Sequence, residues 1–109
     1  MTTTATIPTV TAALDSMNDG DYEGLCSLFT PDGTVTHEDR QHHGRQEIAA
    51  WFSQIPSVLI RPISAFRRGA EHIIDAEVDG VSPDGSQLNR FRFVVAEHQI
   101  RSMSVNILR

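Results

Sequence analysis

The chain has 109 residues, a formal net charge of −5 and 39% hydrophobic residues. This length suits one domain with one modest core, so we treat residues 1–109 as a single unit. The acidic charges are scattered and no basic stripe accompanies them. This pattern argues against nucleic acid and against an anionic membrane surface as partners.

The sequence shows neither a membrane span nor an export signal. No apolar stretch approaches membrane-spanning length. Residues 1–6 have no basic start and no apolar core, so we expect a flexible start and not a signal peptide. The single cysteine, Cys26, excludes an internal disulfide and is expected to be a small buried thiol. We therefore expect a cytoplasmic protein.

The first part of the chain predicts two helices. From Pro8 onward, apolar residues recur at three- and four-residue spacing and indicate one buried helix face: Val10, Ala13, Leu14 and Met17. Residues 18–21, with the sequence Asn-Asp-Gly-Asp, end this helix, and Asp21 can cap a second, short one. Proline and glycine then predict a turn over residues 30–33.

A strand and a third helix follow. Residues 34–39 predict a strand that leads into a polar hairpin ending at Gly44. The helix after this glycine is expected to stop at Pro56. Its apolar face comprises Ile48, Trp51, Phe52 and Ile55.

The second half of the chain predicts four strands, over residues 58–68, 72–79, 88–96 and 100–108. Pro62 marks an edge or a bulge in the first of them. The connecting turns, at residues 68–70, 82–86 and 97–99, are short, so neighbouring strands should be antiparallel. Helices on one face of a bent antiparallel sheet make an α+β domain that can hold a pocket between its layers.

Titratable side chains are concentrated in one stretch, residues 35–45, which reads Val-Thr-His-Glu-Asp-Arg-Gln-His-His-Gly-Arg. Three histidines and two carboxylates in so short a segment indicate proton-transfer chemistry. The same side chains are suitable metal ligands, which leaves metal-assisted hydrolysis as a weaker alternative. Their spacing matches no known zinc motif, however, so we expect no metal.

The order of motifs resembles that of the nuclear transport factor 2-like superfamily, in particular its SnoaL-like polyketide cyclases and the steroid Δ-isomerases. Three segments carry the resemblance: residues 18–21, residues 28–35 (Leu-Phe-Thr-Pro-Asp-Gly-Thr-Val) and residues 43–48 (His-Gly-Arg-Gln-Glu-Ile). Residues 90–93 and 100–103 resemble the last two strands of that fold. The resemblance implies a cone-shaped, curved antiparallel sheet packed against three helices, a small cystatin-like α+β barrel.

The resemblance also places this chain's own residues at family positions. His37 stands where the steroid isomerases have an aspartate that points into the cavity. Asn89 stands where they have a second, protonated aspartate, and its amide can still donate a hydrogen bond. Ala13 stands where they have a catalytic tyrosine, which argues against steroid isomerase activity. The Arg-x-Asp pair of limonene epoxide hydrolases is not visible around Asp75.

The polar stretch supplies the candidate catalytic residues. His37 alternates with Val35 on the strand and is expected to face the pocket as a general base. Asp39 either orients this imidazole, as a carboxylate does in hydrolytic triads, or is a turn residue. Glu38 is expected to be a solvated charge unless a bulge turns it inward. His42 is expected near the mouth of the pocket.

Other residues are expected to shape the pocket and the outer face of the sheet. Trp51, Phe91, Phe93 and Tyr22 are candidate pocket residues, with Asn89 as the polar group among the phenylalanines. Arg90 and Arg92 should pair with Asp75, Glu77 or Asp79 across the outer face. That face also carries Ile73, and pairing through the sheet in this superfamily implies a homodimer.

These observations predict a small enzyme without a cofactor that acts on an apolar, carbonyl-bearing small molecule. His37 would abstract a proton, and Asn89 would stabilise the enolate oxygen, in a cyclisation, isomerisation or dehydration. The alternative is a non-catalytic module of the same fold that binds a small apolar ligand or forms a dimer. The substrate is not specified by the sequence.

Overall fold

The computed structural model describes residues 7–55, 58–82 and 85–108. In chain order the elements are α1 (Pro8–Asp19), α2 (Tyr22–Ser27), β1 (Phe29–His37), β2 (Arg40–His43), α3 (Arg45–Ser53), β3 (Leu59–Arg68), β4 (Glu71–Ser82), β5 (Gly85–Ala96) and β6 (Gln99–Ile107). The expected flexible start at residues 1–6, the helix stop at Pro56 and the loop residues Pro83 and Asp84 lie outside the described residues.

The two N-terminal helices begin and end where the local sequence chemistry predicts. α1 ends at Gly20, which adopts φ +69°, a left-handed conformation that glycine enters without steric cost. Asp21 then caps α2, because its carboxylate accepts a hydrogen bond of 3.0 Å from the Gly24 backbone N–H. This turn sends the chain from α1 back towards the sheet.

The six strands form one curved, unclosed sheet in the order β2-β1-β6-β5-β4-β3. The three helices pack on one of its faces, which confirms the predicted α+β architecture. The later strands β3 to β6 pair in antiparallel fashion, as predicted, and so do β1 and β2. Only β1 and β6 among the described strand pairs are parallel, and these two strands are far apart in the chain and need no tight turn.

Two predicted boundaries also change. Residues 30–33 lie inside β1 instead of forming a free turn, and the β1–β6 register shifts between Phe29 and Thr34 to accommodate them. α3 ends at Ser53, so Ile55 lies beyond the helix and not on its face. The residue before a proline avoids helical backbone angles, which explains the earlier stop.

The core lies between the helices and the inner face of the sheet. The predicted stripe of α1 is buried there, together with Ile48, Trp51 and Phe52 of α3. The strands contribute alternate residues, as a half-buried sheet requires: Val35, Ile60, Ile74, Ala76, Val78, Phe91, Phe93, Met103 and Val105. No helix among the described residues is long and apolar enough to cross a bilayer.

The outer face of the sheet carries cross-strand ion pairs. Arg90 binds Asp75 through two hydrogen bonds of 2.7 and 2.9 Å, as predicted. Arg92 binds Glu71 instead of the three carboxylates proposed for it. Ile73 lies on this face but is fully buried within the monomer, so it offers no surface for a dimer. A homodimer through this face stays a prediction.

Asn18 ties α1 to the edge strand β3. Its side-chain amide donates to the Ile60 backbone carbonyl at 3.1 Å and accepts from the Ile60 backbone N–H at 2.6 Å. The amide thus satisfies backbone groups that an edge strand leaves unpaired. This pairing fixes the strand that forms one wall of the cavity described below.

We predict that Asn18→Ala lowers the free energy of unfolding by about 1–3 kcal/mol, because both Ile60 backbone groups lose their partner. Urea unfolding followed by circular dichroism measures the loss. Asn106→Ala, at an exposed position of β6, is the matched control and should change little. Equal losses of unfolding free energy in the two variants would contradict a stabilising role for the hydrogen bonds between Asn18 and Ile60.

Candidate functional site

Two neighbouring cavities lie where α3 meets the open side of the sheet. An outer pocket of about 480 Å³ is lined by His37, Glu38, Asp39, Arg40, His42, Trp51, Gln54 and Ile55. An inner cavity of about 70 Å³ is lined by Met17, His37, Trp51, Phe52, Ile55, Val58, Ile60, Val78, Gln87, Asn89, Phe91 and Val105. His37, Trp51 and Ile55 line both, so these three residues form the boundary between the cavities.

His37 occupies the last position of β1 and meets α3 through a hydrogen bond. The indole Nε1–H of Trp51 donates to His37 Nδ1 at 3.3 Å. An indole nitrogen is a donor only, so His37 Nδ1 must be the acceptor and carry no proton. In the neutral imidazole the proton therefore sits on Nε2. The neutral ring offers the site a donor at Nε2, while its lone pair is engaged with Trp51.

The surroundings of His37 favour this neutral form. Burial lowers the pKa of His37 below its ordinary value of 6.5, the negative charge of Glu38 raises it, and the nearby His42 lowers it. The net direction is downward, so at neutral pH the ring is uncharged and the hydrogen bond from Trp51 can form.

His42 contacts the same indole. It pairs with Val35 across the β1–β2 hairpin and so shares the inner face of the sheet. Its ring centroid lies 5.6 Å from that of Trp51, while the His37 ring lies 5.7 Å away in an edge arrangement. His42 Nε2 is buried and, within the described part of the chain, has no hydrogen-bond partner. One indole is thus flanked by two imidazoles.

Asn89 supplies the polar group of the inner cavity. It is 5% exposed, and its side-chain oxygen accepts a hydrogen bond of 3.1 Å from Gln87 Nε2. This bond orients the amide, and the NH₂ group of Asn89 is available as a donor to a ligand. Phe91, two residues on, lies beside it as predicted and forms apolar wall.

The structure separates the predicted site residues into groups. His37, Trp51, Asn89 and Phe91 line the inner cavity, and Asp39 and His42 line only the outer pocket. Two candidates lie elsewhere. Phe93 is fully buried behind Phe91, with ring centroids 6.4 Å apart. Tyr22 is 46% exposed and borders a separate depression of about 240 Å³ beside the end of α1.

The two carboxylates of the β1–β2 hairpin, Glu38 and Asp39, both lie in its turn. Asp39 is an exposed turn residue, and the hydrogen bond to the imidazole comes from Trp51 instead. Glu38 adopts φ +58°, the left-handed conformation of a tight turn, and is exposed as well. Both carboxylates reach the outer pocket, and neither lines the inner cavity.

Sequence reasoning missed the contact between Trp51 and His37 and the role of Gln87. Gln87 could have been found, because it lies two residues before Asn89 and therefore on the same face of β5. Nothing in the sequence indicates that Trp51 reaches His37, since they belong to different elements. Within residues 7–55, 58–82 and 85–108, no three histidine, cysteine or acidic side chains are placed to hold a metal ion.

Comparison with known proteins identifies the family. Residues 10–101 match the family model of the SnoaL-like domain. The chain belongs to the SnoaL-like domain family. The resemblance seen in the sequence is therefore confirmed. A search of curated proteins finds no match.

Solved structures share the fold at low sequence identity. A candidate polyketide cyclase from Sinorhizobium meliloti is 21% identical, with a TM-score of 0.84 over 93% of this chain and 95% of that protein. A ketosteroid isomerase-like protein from Catenulispora acidiphila, in complex with trimethylamine, is 22% identical, with a TM-score of 0.83 over 94% and 86%. The orange carotenoid protein of Anabaena, binding canthaxanthin, is 17% identical, with a TM-score of 0.86 over 99% and 38%.

The lowered pKa of His37 predicts a loss of stability on acidification. Below pH 6.5 the unfolded chain protonates this imidazole before the folded protein does, so protons favour unfolding until the folded pKa is passed. Melting temperatures measured against pH should therefore fall more steeply for the wild type than for His37→Gln. Burial also lowers the pKa of His72, but this residue is present in both proteins, so its contribution to the pH dependence cancels in the comparison. Parallel profiles would contradict the prediction.

Proposed function

We propose that this SnoaL-like protein is a small enzyme without a cofactor that moves a proton on an apolar, carbonyl-bearing small molecule. The observation that carries the proposal is the hydrogen bond from Trp51 to His37 Nδ1, which fixes a proton on the opposite ring nitrogen at a cavity wall. The product would be a cyclised, isomerised or dehydrated compound, as the names of the candidate polyketide cyclase and the isomerase-like neighbour suggest.

The carbonyl oxygen of the substrate would be bound by two donors. The first is His37 Nε2–H, in a ring that burial keeps neutral. The second is the NH₂ group of Asn89, whose oxygen is held by Gln87. A neutral imidazole can polarise a carbonyl without protonating it, and one donor at a developing oxyanion is worth about 10²–10³ in rate.

The proton acceptor is then a carboxylate. A base role for His37 would require the Nδ1 lone pair, which accepts from Trp51. Glu38 is an exposed carboxylate that lines the outer pocket beside His37, and it is the carboxylate closest in sequence to the imidazole. We assign it the removal of the proton next to the carbonyl, a role worth about 10²–10⁴ in rate. The resulting enolate then takes up the proton from Glu38 at another carbon, attacks an internal electrophile, or expels a β-hydroxyl group, which leaves as water with that proton.

The cavity sizes constrain the substrate. The inner cavity of about 70 Å³ admits only a small apolar part, while the outer pocket of about 480 Å³ can hold a larger and more polar one. We therefore assign the reacting carbonyl to the boundary, at His37, with the apolar end of the molecule directed towards Phe91.

A non-catalytic binding role is the second candidate. The inner cavity is lined by apolar groups, two amides and the His37 imidazole, and by no carboxylate among the described residues. The orange carotenoid protein, whose fold resembles this chain, is described as binding canthaxanthin. A binder of the present fold would hold an apolar ligand without exchanging its protons.

Proton exchange on small cyclic ketones in D₂O, followed by NMR, tests the proposed reaction. Thermal-shift screening first identifies the ketones that bind, because a ligand of the native state raises the melting temperature. Four proteins are compared: the wild type, Glu38→Gln, His37→Gln and the control His43→Gln. His43 is exposed on the opposite face of the β1–β2 hairpin.

We expect Glu38→Gln to lose exchange by about 10²-fold or more while still binding the ketone. His37→Gln should lose less, since a glutamine amide still donates to the carbonyl oxygen but cannot act as a base. The control should match the wild type. Complete loss in His37→Gln with full activity in Glu38→Gln would return the base role to His37. Binding without exchange in the wild type would favour the non-catalytic role.

A further inference from the structure

The indole of Trp51 is one of the three side chains at the boundary of the two cavities. It lines both of them and contacts the imidazoles of both His37 and His42. Trp51 is 9% exposed and is the only tryptophan in the sequence. A ligand that passes from the outer pocket to the inner cavity must displace this ring or pass its edge.

Core packing and one hydrogen bond hold the indole in this position. The hydrogen bond to His37 is long, at 3.3 Å. His42, which contacts the same indole, has a buried Nε2 without a partner in the described part of the chain. The hydrogen bond to His37 is thus the polar contact of the indole that protonation of a neighbouring ring can remove.

We propose that Trp51 is a proton-controlled lid that closes the inner cavity while His37 is neutral and opens it when His37 is protonated. A protonated imidazole carries N–H on both nitrogens, so Nδ1 faces the indole N–H as a second donor and the hydrogen bond is lost. The released indole exposes His42 Nε2 and joins the two cavities. The lid rests on the proposed function only in that the inner cavity is taken as the ligand site.

The charges around His37 modulate this equilibrium. Glu38 in the hairpin turn favours the protonated ring, whereas His42 on β2 opposes it. Asp39 and Arg40 are the other charged groups of the outer pocket. Gln54, after α3, lines the same pocket and is uncharged. Burial lowers the pKa of His37, in keeping with a lid that is closed at neutral pH and opens on acidification.

Quenching of the single tryptophan by acrylamide tests the lid without any substrate. The wild type is titrated from neutral to mildly acidic pH, with far-UV circular dichroism recorded at each point to show that the protein is folded. Three variants are compared: His37→Gln, whose amide oxygen can accept from the indole without titrating, His37→Leu, which removes the acceptor, and the control His43→Gln.

We expect the quenching constant of the folded wild type and of His43→Gln to rise several-fold on acidification. His37→Gln should remain protected at every pH, and His37→Leu should be open already at neutral pH. An unchanged constant in acidified, folded wild type would overturn the lid, as would a folded His37→Leu that is as protected as the wild type. The quenching constants are measured without any ketone. The test of the lid and the test of the proposed reaction can therefore fail separately.

Discussion

The hydrogen bond between Trp51 and His37 is the interaction on which the character of this site depends. It joins the end of strand β1 to helix α3, and it decides which imidazole nitrogen carries the proton. With Nδ1 as acceptor, the neutral ring is a donor to the cavity. The same contact forms the boundary between the inner cavity and the outer pocket, so binding, protonation and access are linked through one pair of residues.

The two polar groups of the site are oriented in the same way. Trp51 donates to His37, and Gln87 donates to the oxygen of Asn89, so each acceptor atom is engaged and each N–H is left for a ligand. Donors held in place before the substrate arrives need no reorganisation during the reaction. The fold supports this arrangement, because the two hydrogen bonds between Asn18 and β3 and the packing of α3 fix the cavity walls.

Local chemistry made much of the fold predictable from the sequence. The Asp21 cap, the apolar stripe of α1 and the shared face of Asn89 and Phe91 each follow from spacing within one element. The errors concern contacts between elements. Phe91 and Phe93 alternate identically, but only Phe91 reaches the cavity, and Ile73 faces outward yet is covered. The role assigned to His37 depends on a tryptophan fourteen positions away, which periodicity does not reveal.

The position of the proton on the His37 imidazole is measured directly by ¹⁵N NMR of the histidine side chains. Long-range ¹H–¹⁵N spectra at neutral pH distinguish the two neutral tautomers and the imidazolium. We predict that His37 carries its proton on Nε2 with an unprotonated Nδ1, and that Trp51→Phe removes this preference. A proton on Nδ1, or an imidazolium at neutral pH, would contradict the role of His37 as a neutral donor to the cavity.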